Sequence, residues 1–377
     1  MALVDRSTGW GRSAPATGSG LVLASRGDAL TPYLFEALAR RYPISGQLHP
    51  DLGRAQRLAV AASTFHPSRR RWAEQFYKSG QAYRMRTANA ARQRSRLARG
   101  TDPVLQVHAL FEVPDATSVL YLDCTHAQSV RHWPQWNPLR GKALDDWYRR
   151  ETLAYRTATH LFAFSRQTRD SLLHDYGIAP AKVSVVGAGV NLHRLPGPPR
   201  RATPAAPTVL FIGNDFVRKG GPVLLQAFRQ VRHRLPQARL QLVGTDPGLP
   251  GEPGVQVLGR IHDRTRISRL YQQASVFCLP SFFDPLPLVL LEAMAHGLPV
   301  VSTASCGIPD VVTDGDTGRL VAAGDPDALA ETLLALLTAP VAAAGLGARG
   351  YERVRAGFTW DAVVDRMALA LDPLVSG

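Results

Sequence analysis

The chain has 377 residues, of which 45% are hydrophobic and 20% charged, which is typical of a folded globular protein and excludes a disordered or fibrous one. Its apolar runs are too short to cross a bilayer, and the amino terminus has no signal-peptide pattern. Three widely spaced cysteines give neither a disulfide framework nor metal-ligand spacing. We therefore expect a cytoplasmic protein of two ordinary domains.

The formal net charge of +14 arises in the first part of the chain. Residues 1–200 contain 28 Lys and Arg against 14 Asp and Glu, whereas residues 201–377 contain 16 of each. The excess is densest in Arg84–Arg99, which has six arginines and no acid, and Arg69–Arg71 lies just upstream. Such a face suits nucleic acid, an acidic substrate or an anionic membrane surface, and a solvated helix of an arginine-rich protein is the alternative.

Short apolar runs alternate with helical patterns along the first half. The predicted strands are Gly20–Ala24, Val104–His108, Ser118–Asp123, His160–Phe164 and Val183–Val186. The predicted helices are Leu30–Arg41, Arg70–Arg99, Lys142–Ala158 and Arg166–Tyr176. The strands are apolar throughout rather than alternating, which indicates a parallel sheet covered on both faces.

The second half repeats this rhythm. Its predicted strands are Val209–Ile212, Leu240–Val243, Val255–Leu258, Val276–Leu279 and Val300–Ser302. Its predicted helices are Gly221–Leu235, Thr265–Ala274, Pro287–His296, Asp327–Leu337, Ala343–Ala356 and Trp360–Leu371. Strands that alternate with helices predict doubly wound α/β architecture.

A Pro- and Ala-rich stretch at 196–207 interrupts the rhythm and is interpreted as a linker. The predicted organisation is a Rossmann-like domain at 1–195, a second at 208–358, and a helix at 359–377 that packs back on the first domain. Two open sheets in tandem place a cleft between their carboxyl ends, where ligands of such sheets bind.

Two carboxylates, Asp284 and Glu292, stand eight positions apart in the apolar run Ser281–Gly297. Pro287 suits the first position of a helix whose free N–H groups and dipole would bind an anion such as phosphate. Those N–H groups belong to Leu286, Leu288 and Val289. Glu292 would then accept bonds from ribose hydroxyls, with Asp284 near a sugar. The alternatives are a helix cap at Asp284, worth about 1 kcal/mol, and a buried arginine partner for Glu292.

Ordered motifs over residues 151–360 carry a family resemblance. They are Glu151…Phe164-Ser165-Arg166, Tyr176-Gly177…Gly189-Val190-Asn191, Phe211-Ile212-Gly213…Arg218-Lys219-Gly220, Leu242-Val243-Gly244, Leu258-Gly259-Arg260, Asp284…Glu292-Ala293-Met294-Ala295 and Gly297-Leu298-Pro299-Val300-Val301. The second half resembles retaining GT-B glycosyltransferases, in particular the bacterial glycosyl transferases group 1 of glycosyltransferase family 4. The resemblance implies two Rossmann-like domains around a cleft, with the acceptor on the first and the nucleotide-sugar donor on the second.

The resemblance also implies roles for single residues of the donor site. Glu292 would hold the nucleotide ribose, and Asp284 would hold the donor sugar, where the family usually has Glu. The family's basic pair, which neutralises the diphosphate, falls on Lys219 and on Asn214 in place of the usual Arg. Arg218 is the candidate replacement for that Arg. The stretch that corresponds to the family's Gly-Arg-x4-Lys-Gly motif begins at Gly213.

Further positions are implied at the rim of the cleft. Gly307, in a loop that matches a family Gly-Gly-Ile-Pro-Glu segment, would lie near the donor sugar, and Arg260 and Ile261 would contact the base through main-chain atoms. The family's active-site histidine is assigned to His126, which follows a predicted strand. His108, at another strand end, is the competing candidate.

Taken together, the sequence predicts a retaining, metal-independent transferase that moves a sugar from a UDP-, GDP- or ADP-linked donor to a glycan, lipid-linked or other cell-envelope acceptor. Neither a cofactor nor a specific nucleic acid is expected. The basic first half would contact an anionic membrane surface at the inner face of the cell membrane. A non-catalytic GT-B subunit, a sugar-nucleotide epimerase and a basic nucleic-acid-binding protein are the alternatives.

Overall fold

The computed structural model describes residues 19–137, 139–197, 206–246, 248 and 251–376. Within these residues, two six-stranded sheets flanked by helices follow one another along the chain. Every strand pairing within both sheets is parallel. The predicted α/β class with two Rossmann-like halves is confirmed.

The first domain is built on the sheet nearest the amino terminus. Its strands are β1 (Leu21–Ala24), β2 (Ile44–Leu48), β3 (Val104–Val107), β4 (Ser118–Leu122), β5 (His160–Ala163) and β6 (Val183–Val185). Its helices are α1 (Thr31–Arg41), α2 (Arg54–Ser63), α3 (Arg69–Lys78), α4 (Gly80–Arg94), α5 (His126–His132), α6 (Lys142–Thr157) and α7 (Arg166–His174). The strand order is β2-β1-β3-β4-β5-β6, so the crossover point lies beside β1.

The second domain repeats the architecture. Its strands are β7 (Thr208–Ile212), β8 (Arg239–Val243), β9 (Val255–Gly259), β10 (Val276–Leu279), β11 (Val300–Thr303) and β12 (Arg319–Val321), in the order β12-β11-β10-β7-β8-β9. Its helices are α8 (Gly221–Arg234), α9 (Arg264–Gln273), α10 (Leu288–Ala295), α11 (Ile308–Val311), α12 (Pro326–Thr338) and α13 (Pro340–Gly357), and α14 (Trp360–Ser376) follows. No single described helix is long and apolar enough to span a membrane, although α12 and α13, bent by 101°, satisfy those criteria as a pair.

The first domain differs from the sequence interpretation in detail. The single helix expected over Arg70–Arg99 is two helices, because Ser79 leaves helical geometry and its hydroxyl caps α4 by accepting from the N–H of Ala82. The arginine run is also not a uniformly solvated face, since Arg86 and Arg94 are buried. The strand β2 and the helices α2 and α5 were not expected at all.

The two domains meet at the carboxyl ends of their sheets. Arg166, at the start of α7, donates through Nε to Oδ1 of Asp310 in α11 (2.6 Å). The helix α14 returns to the first domain, where Arg40 of α1 donates to Asp361 (2.7 Å). Most of the linker interpreted at 196–207 lies outside the described residues.

Candidate active site

The helix α10 places Glu292 inside the second domain. It begins at Leu288, with Pro287 as its cap rather than as its first residue. The N–H groups of Leu288 and Val289 lie in the first turn, which has no acceptor within its own helix. Both residues are half-buried at the cleft, whereas Leu286 just before them is buried. The helix start therefore offers polar N–H groups in apolar surroundings, which suits an anion.

The carboxylate of Glu292 is buried and has two protein partners. Arg264, the first residue of α9, donates through Nη2 to Oε1 (2.9 Å), and the Tyr271 hydroxyl donates to Oε2 (3.2 Å). The same Arg264 nitrogen also donates to the carbonyl of Asn191 (2.9 Å), whose side chain donates to the carbonyl of Ala29 (3.2 Å). Glu292 is thus linked to the β1–α1 loop of the first domain by a chain of hydrogen bonds.

A buried charge cluster lies beside this helix start. Lys219 donates through Nζ to Oδ2 of Asp284, and Nη1 of Arg218 lies 3.7 Å from the same oxygen. All three side chains are less than 12% exposed. Burial lowers the pKa of Lys219, and the Asp284 carboxylate only partly offsets that effect. The cluster holds two cations against the carboxylate of Asp284, and Asp215, 3.3 Å from Arg218 Nε, supplies a second carboxylate at its edge.

Arg218 rather than Asn214 belongs to this cluster. Its guanidinium lies 4.3 Å from the ring centroid of Trp136, and its Nη1 donates to the carbonyl of Phe283 (2.6 Å). Asn214 is exposed, and lines with Trp136 and Arg218 an open cavity of about 560 Å³ between the domains. Arg218 is therefore held in place by stacking and hydrogen bonding, while Asn214 faces the cavity.

Two positions near the cluster require glycine, because a neighbouring backbone carbonyl leaves no room for a Cβ atom. A Cβ on Gly307 would lie 1.8 Å from the carbonyl oxygen of Pro285, and one on Gly220 would lie 1.9 Å from that of Pro280. Gly220 also adopts a positive φ of 76°, which favours glycine. Cys306, just before Gly307, adopts a φ of 55° despite its side chain. Gly213 is buried against the Lys219 stem.

Arg260 and Ile261 follow the carboxyl end of β9, in the loop that leads to Arg264. Arg260 is exposed, and Ile261 packs partly against the core. Gly259 before them has a φ of 61°, so the chain turns at this point. The pair precedes Arg264, the Glu292 partner, by four and three residues, in the loop before α9.

His126 lies at the start of α5 and is 4% exposed. Its Nδ1 accepts from Lys78 Nζ (3.2 Å), its ring packs edge-on against Trp147 and Tyr148, and its backbone N–H donates to Glu151. Burial and the Lys78 charge lower its pKa to about 3, so the ring is neutral at pH 7. Each of these contacts lies within the first domain, and the catalytic role of His126 stays a prediction.

His108 instead stands in a charged row at the cleft edge of the first sheet. Its Nε2 lies 3.2 Å from Oδ2 of Asp28, after β1, and its Nδ1 lies 3.4 Å from Oδ1 of Asp123, after β4. Its φ of 61° is uncommon for a residue with a side chain and is often found at functional sites. Asp28 and Asp123 were missed in the sequence because neither lies in a recognisable motif. No group of three or more His, Cys, Asp and Glu side chains in the described part of the chain is arranged to hold a metal ion.

The His108 row makes stability depend on pH. Burial alone would lower the pKa of His108, but Asp123 and Asp28 outweigh it and raise the pKa to about 10, above the ordinary 6.5. The stabilisation is therefore fully present below about pH 6.5 and is lost as pH rises through about 10. His108→Asn removes the titrating group, and Asn tolerates the positive φ of this position. We therefore expect the melting temperature to fall more steeply between pH 7 and 10 in the parent protein than in this variant.

The control for this measurement is His233→Asn, on an exposed position of α8. That variant should reproduce the parent slope in a thermal melt followed by circular dichroism. Parallel slopes for His108→Asn and the parent between pH 7 and 10 would contradict the assignment of a charged His108.

Two family models match successive parts of the chain. Glycosyltransferase Family 4 matches residues 81–194, and Glycosyl transferases group 1 matches residues 206–339. Together they span both domains and more than half of the chain. The chain therefore belongs to the glycosyl transferases group 1 of glycosyltransferase family 4, as the motifs predicted.

Curated relatives agree with this family. D-inositol 3-phosphate glycosyltransferase 2 of Catenulispora acidiphila is 33% identical over 230 residues, which are 54% of this chain and 54% of the relative. Phosphatidyl-myo-inositol mannosyltransferase of Mycobacterium leprae is 35% identical over 190 residues, covering 48% of this chain and 50% of the relative. The chain thus spans about half the length of the curated relatives it matches.

Solved structures share the fold over nearly the whole chain. Sucrose-phosphate synthase of Thermosynechococcus elongatus superposes with a TM-score of 0.69 at 20% identity, covering 94% of this chain and 99% of that one. HepE of Anabaena, solved in complex with UDP and glucose, gives 0.62 at 17% identity, covering 94% and 100%. These likenesses establish the GT-B fold and leave the chemistry to be argued from the site.

Proposed function

We propose that the chain is a retaining, metal-independent glycosyltransferase that moves a sugar from a nucleotide diphospho-sugar to an acceptor hydroxyl. The observation that carries the proposal is the buried cluster of Lys219, Arg218 and Asp284 beside the start of α10, with Glu292 deeper in the same helix. Two cations and a helix start suit a diphosphate, and two carboxylates suit hydroxyl groups on either side of it.

The proposed chemistry needs negative charge to be stabilised as the nucleotide diphosphate leaves. Lys219 and Arg218, together with the N–H groups of Leu288 and Val289, would bind that charge in a buried setting where such interactions are strong. Asp284 would then exchange its Lys219 contact for a hydroxyl of the donor sugar. Gly307 packs closely against the carbonyl of Pro285, the residue after Asp284, so its loop lies near this carboxylate.

The names of the relatives guide the choice of acceptor. One is named for D-inositol 3-phosphate and the other for phosphatidyl-myo-inositol. An inositol phosphate and a phosphatidylinositol are therefore the first compounds to test as acceptors. The first domain, which carries the His108 row at the cleft edge, is proposed to bind them.

A donor screen tests the proposal. UDP-, GDP- and ADP-sugars should raise the melting temperature of the chain equally in EDTA and in Mg²⁺, and the sugar with the largest shift should be transferred to an acceptor. NMR of the product should show the anomeric configuration of the donor. A panel without any shift, a requirement for Mg²⁺, or an inverted product would each contradict the corresponding part of the proposal.

We also propose that the basic half of the chain contacts an anionic membrane surface. Leu58 of α2 is 73% exposed and Phe65, just after α2, is 68% exposed, and Arg54, Arg69 and Arg71 are exposed in the same segment. Exposed apolar side chains among arginines suit an anionic interface. Flotation with phosphatidylglycerol vesicles but not with phosphatidylcholine vesicles is expected, and equal recovery with both would contradict the proposal.

A further inference from the structure

A fully buried arginine lies beneath the basic surface of the first domain. Arg86 of α4 has no exposed surface, and its Nη1 donates to the carbonyl of Tyr77 (2.9 Å). Its Nε and Nη2 have no hydrogen-bond partner among the described residues. A buried guanidinium with unmet donors is costly, because each unsatisfied N–H has lost its hydrogen bonds to water without gaining others. Such a side chain needs an acceptor.

A second arginine adjoins it. Arg26, in the loop after β1, has its guanidinium 4.8 Å from the centroid of the Tyr77 ring, and that of Arg86 lies 5.9 Å from the same ring. The Nε of Arg26 is likewise buried with no hydrogen-bond partner in the described residues. Burial and then the nearby charge of Arg26 lower the pKa of Arg86 to about 10, the direction expected for two guanidinium groups placed close together. An anion between them would relieve both problems.

The carboxylate of Asp51 is already engaged. Its Oδ2 pairs with Nη2 of Arg57 (2.7 Å), and its Oδ1 is 3.7 Å from Nε of Arg26. Arg57 and Arg26 thus flank this carboxylate, and together with Arg86, which also feels its charge, they exceed it by two positive charges. A phosphate group carries a matching charge and several acceptor oxygens that suit a guanidinium fork.

The position of the arginines suits an acceptor. Arg26 follows β1 and Asp51 follows β2, so both stand at the carboxyl edge of the sheet, which faces the second domain. Asp28, two residues beyond Arg26, begins the charged row with His108. One loop therefore carries an arginine and, two residues later, a carboxylate. Carboxylates accept from hydroxyls, so this arrangement fits a molecule that bears both hydroxyl groups and a phosphate.

We propose that Arg26 and Arg86, assisted by Arg57, bind a phosphate group of the acceptor substrate. This inference rests on the proposed glycosyl transfer, because only then is there an acceptor to bind. It deepens that function by assigning the residues that would bind the phosphate of the acceptor, a phosphate-bearing polyol or its lipid-linked form.

Calorimetric titration with inorganic phosphate at fixed ionic strength tests the site. The Lys219→Met chain is used, because the donor cluster would also attract phosphate, and the titration is run well below the melting temperature measured for that chain. Adding Arg26→Gln should weaken phosphate binding at least about tenfold, the loss expected for charge-assisted hydrogen bonds. Adding Arg84→Gln, an exposed arginine of α4, is the matched control and should leave the affinity unchanged.

Arg26→Lys guards against a folding defect. It keeps the charge but loses the planar guanidinium fork, so we expect an intermediate loss of phosphate affinity. The melting temperature should equal that of the Lys219→Met chain without the added substitution. The inference is overturned when phosphate does not bind, or when Arg26→Gln and Arg84→Gln weaken it equally. A nucleotide diphospho-sugar that binds the parent chain while phosphate does not bind the Lys219→Met chain would remove this inference alone and leave the proposed function standing.

Two arms separate the possible sources of the phosphate. sn-Glycerol 3-phosphate represents a soluble phosphate, and phosphatidylglycerol vesicles represent a lipid headgroup. If Arg26→Gln weakens only the binding of sn-glycerol 3-phosphate, the result supports a soluble acceptor. If it weakens only the binding of phosphatidylglycerol vesicles, the result supports a lipid-linked acceptor. No effect in either arm overturns the assignment.

Discussion

Replacing Lys219 by Met is expected to lower kcat about 100- to 1000-fold, the cost of removing one donor that stabilises charge in a transition state. The ammonium is buried against Asp284 beside the start of α10, where a leaving diphosphate would develop its charge. Because that charge grows as the bond breaks, kcat should fall more than donor KM rises. Steady-state kinetics with the donor found in the screen measures both quantities.

The same substitution should also destabilise the fold, because it leaves Asp284 buried without its closest cation. Breaking one side of a buried pair typically costs about 3–5 kcal/mol. The double variant Lys219→Met with Asp284→Asn should regain much of this stability without regaining activity. Lys142→Met, on an exposed position of α6, is the matched control and should change neither quantity. Restored activity in the double variant would contradict a catalytic role for Lys219.

The sequence predicted most of the central strands because they are apolar throughout. Strands such as β1 and β10 are buried along their whole length, and burial on both faces leaves a continuous apolar run. The edge strand β2 was missed because its sequence, Ile-Ser-Gly-Gln-Leu, mixes polar residues and glycine and is mostly half-buried. The helix α2 buries only Val60, so it leaves almost no periodic signal.

The site was predictable only where its residues share one segment. Asp284 and Glu292 flank one helix start, so their spacing indicated a donor site. The partner of Glu292, Arg264, comes from a different helix, and pairing across elements depends on the sheet order. The His108 row illustrates the same limit, because its residues follow three different strands that only the β1-β3-β4 order brings together.

Arg264 of the second domain forms a hydrogen bond to the first domain as well as to Glu292. Its Nη2 bonds both Glu292 and the carbonyl of Asn191, whose side chain also accepts from Nε1 of Trp360 at the start of α14 (3.2 Å). Asn191, near the end of the first domain, is therefore connected through hydrogen bonds both to α14 and, by way of Arg264, to Glu292, the proposed ribose carboxylate. A change in the angle between the domains would alter the hydrogen bond between Asn191 and Arg264 and with it the setting of Glu292. Such coupling suits an enzyme that closes on its donor.

Glu292→Gln is expected to weaken donor binding about 10- to 100-fold, because a neutral amide replaces a carboxylate that would accept from ribose hydroxyls. The side chain keeps its size, and Tyr271 can still donate to its oxygen, so the fold should persist. Calorimetric titration with the nucleoside diphosphate of the preferred donor measures the loss. Glu331→Gln, whose side chain is 69% exposed on α12, is the matched control and should bind like the parent.

A second variant separates ligand binding from a structural ion pair. Arg264→Met removes the partner of Glu292 but leaves its carboxylate, so nucleotide binding should weaken less than in Glu292→Gln. If Glu292 serves only to hold Arg264, the two variants will weaken binding equally, and the ribose assignment fails. Since Arg264 is half-exposed while Glu292 is 7% exposed, the carboxylate is the member of the pair that cannot reach bulk water and most needs a polar partner.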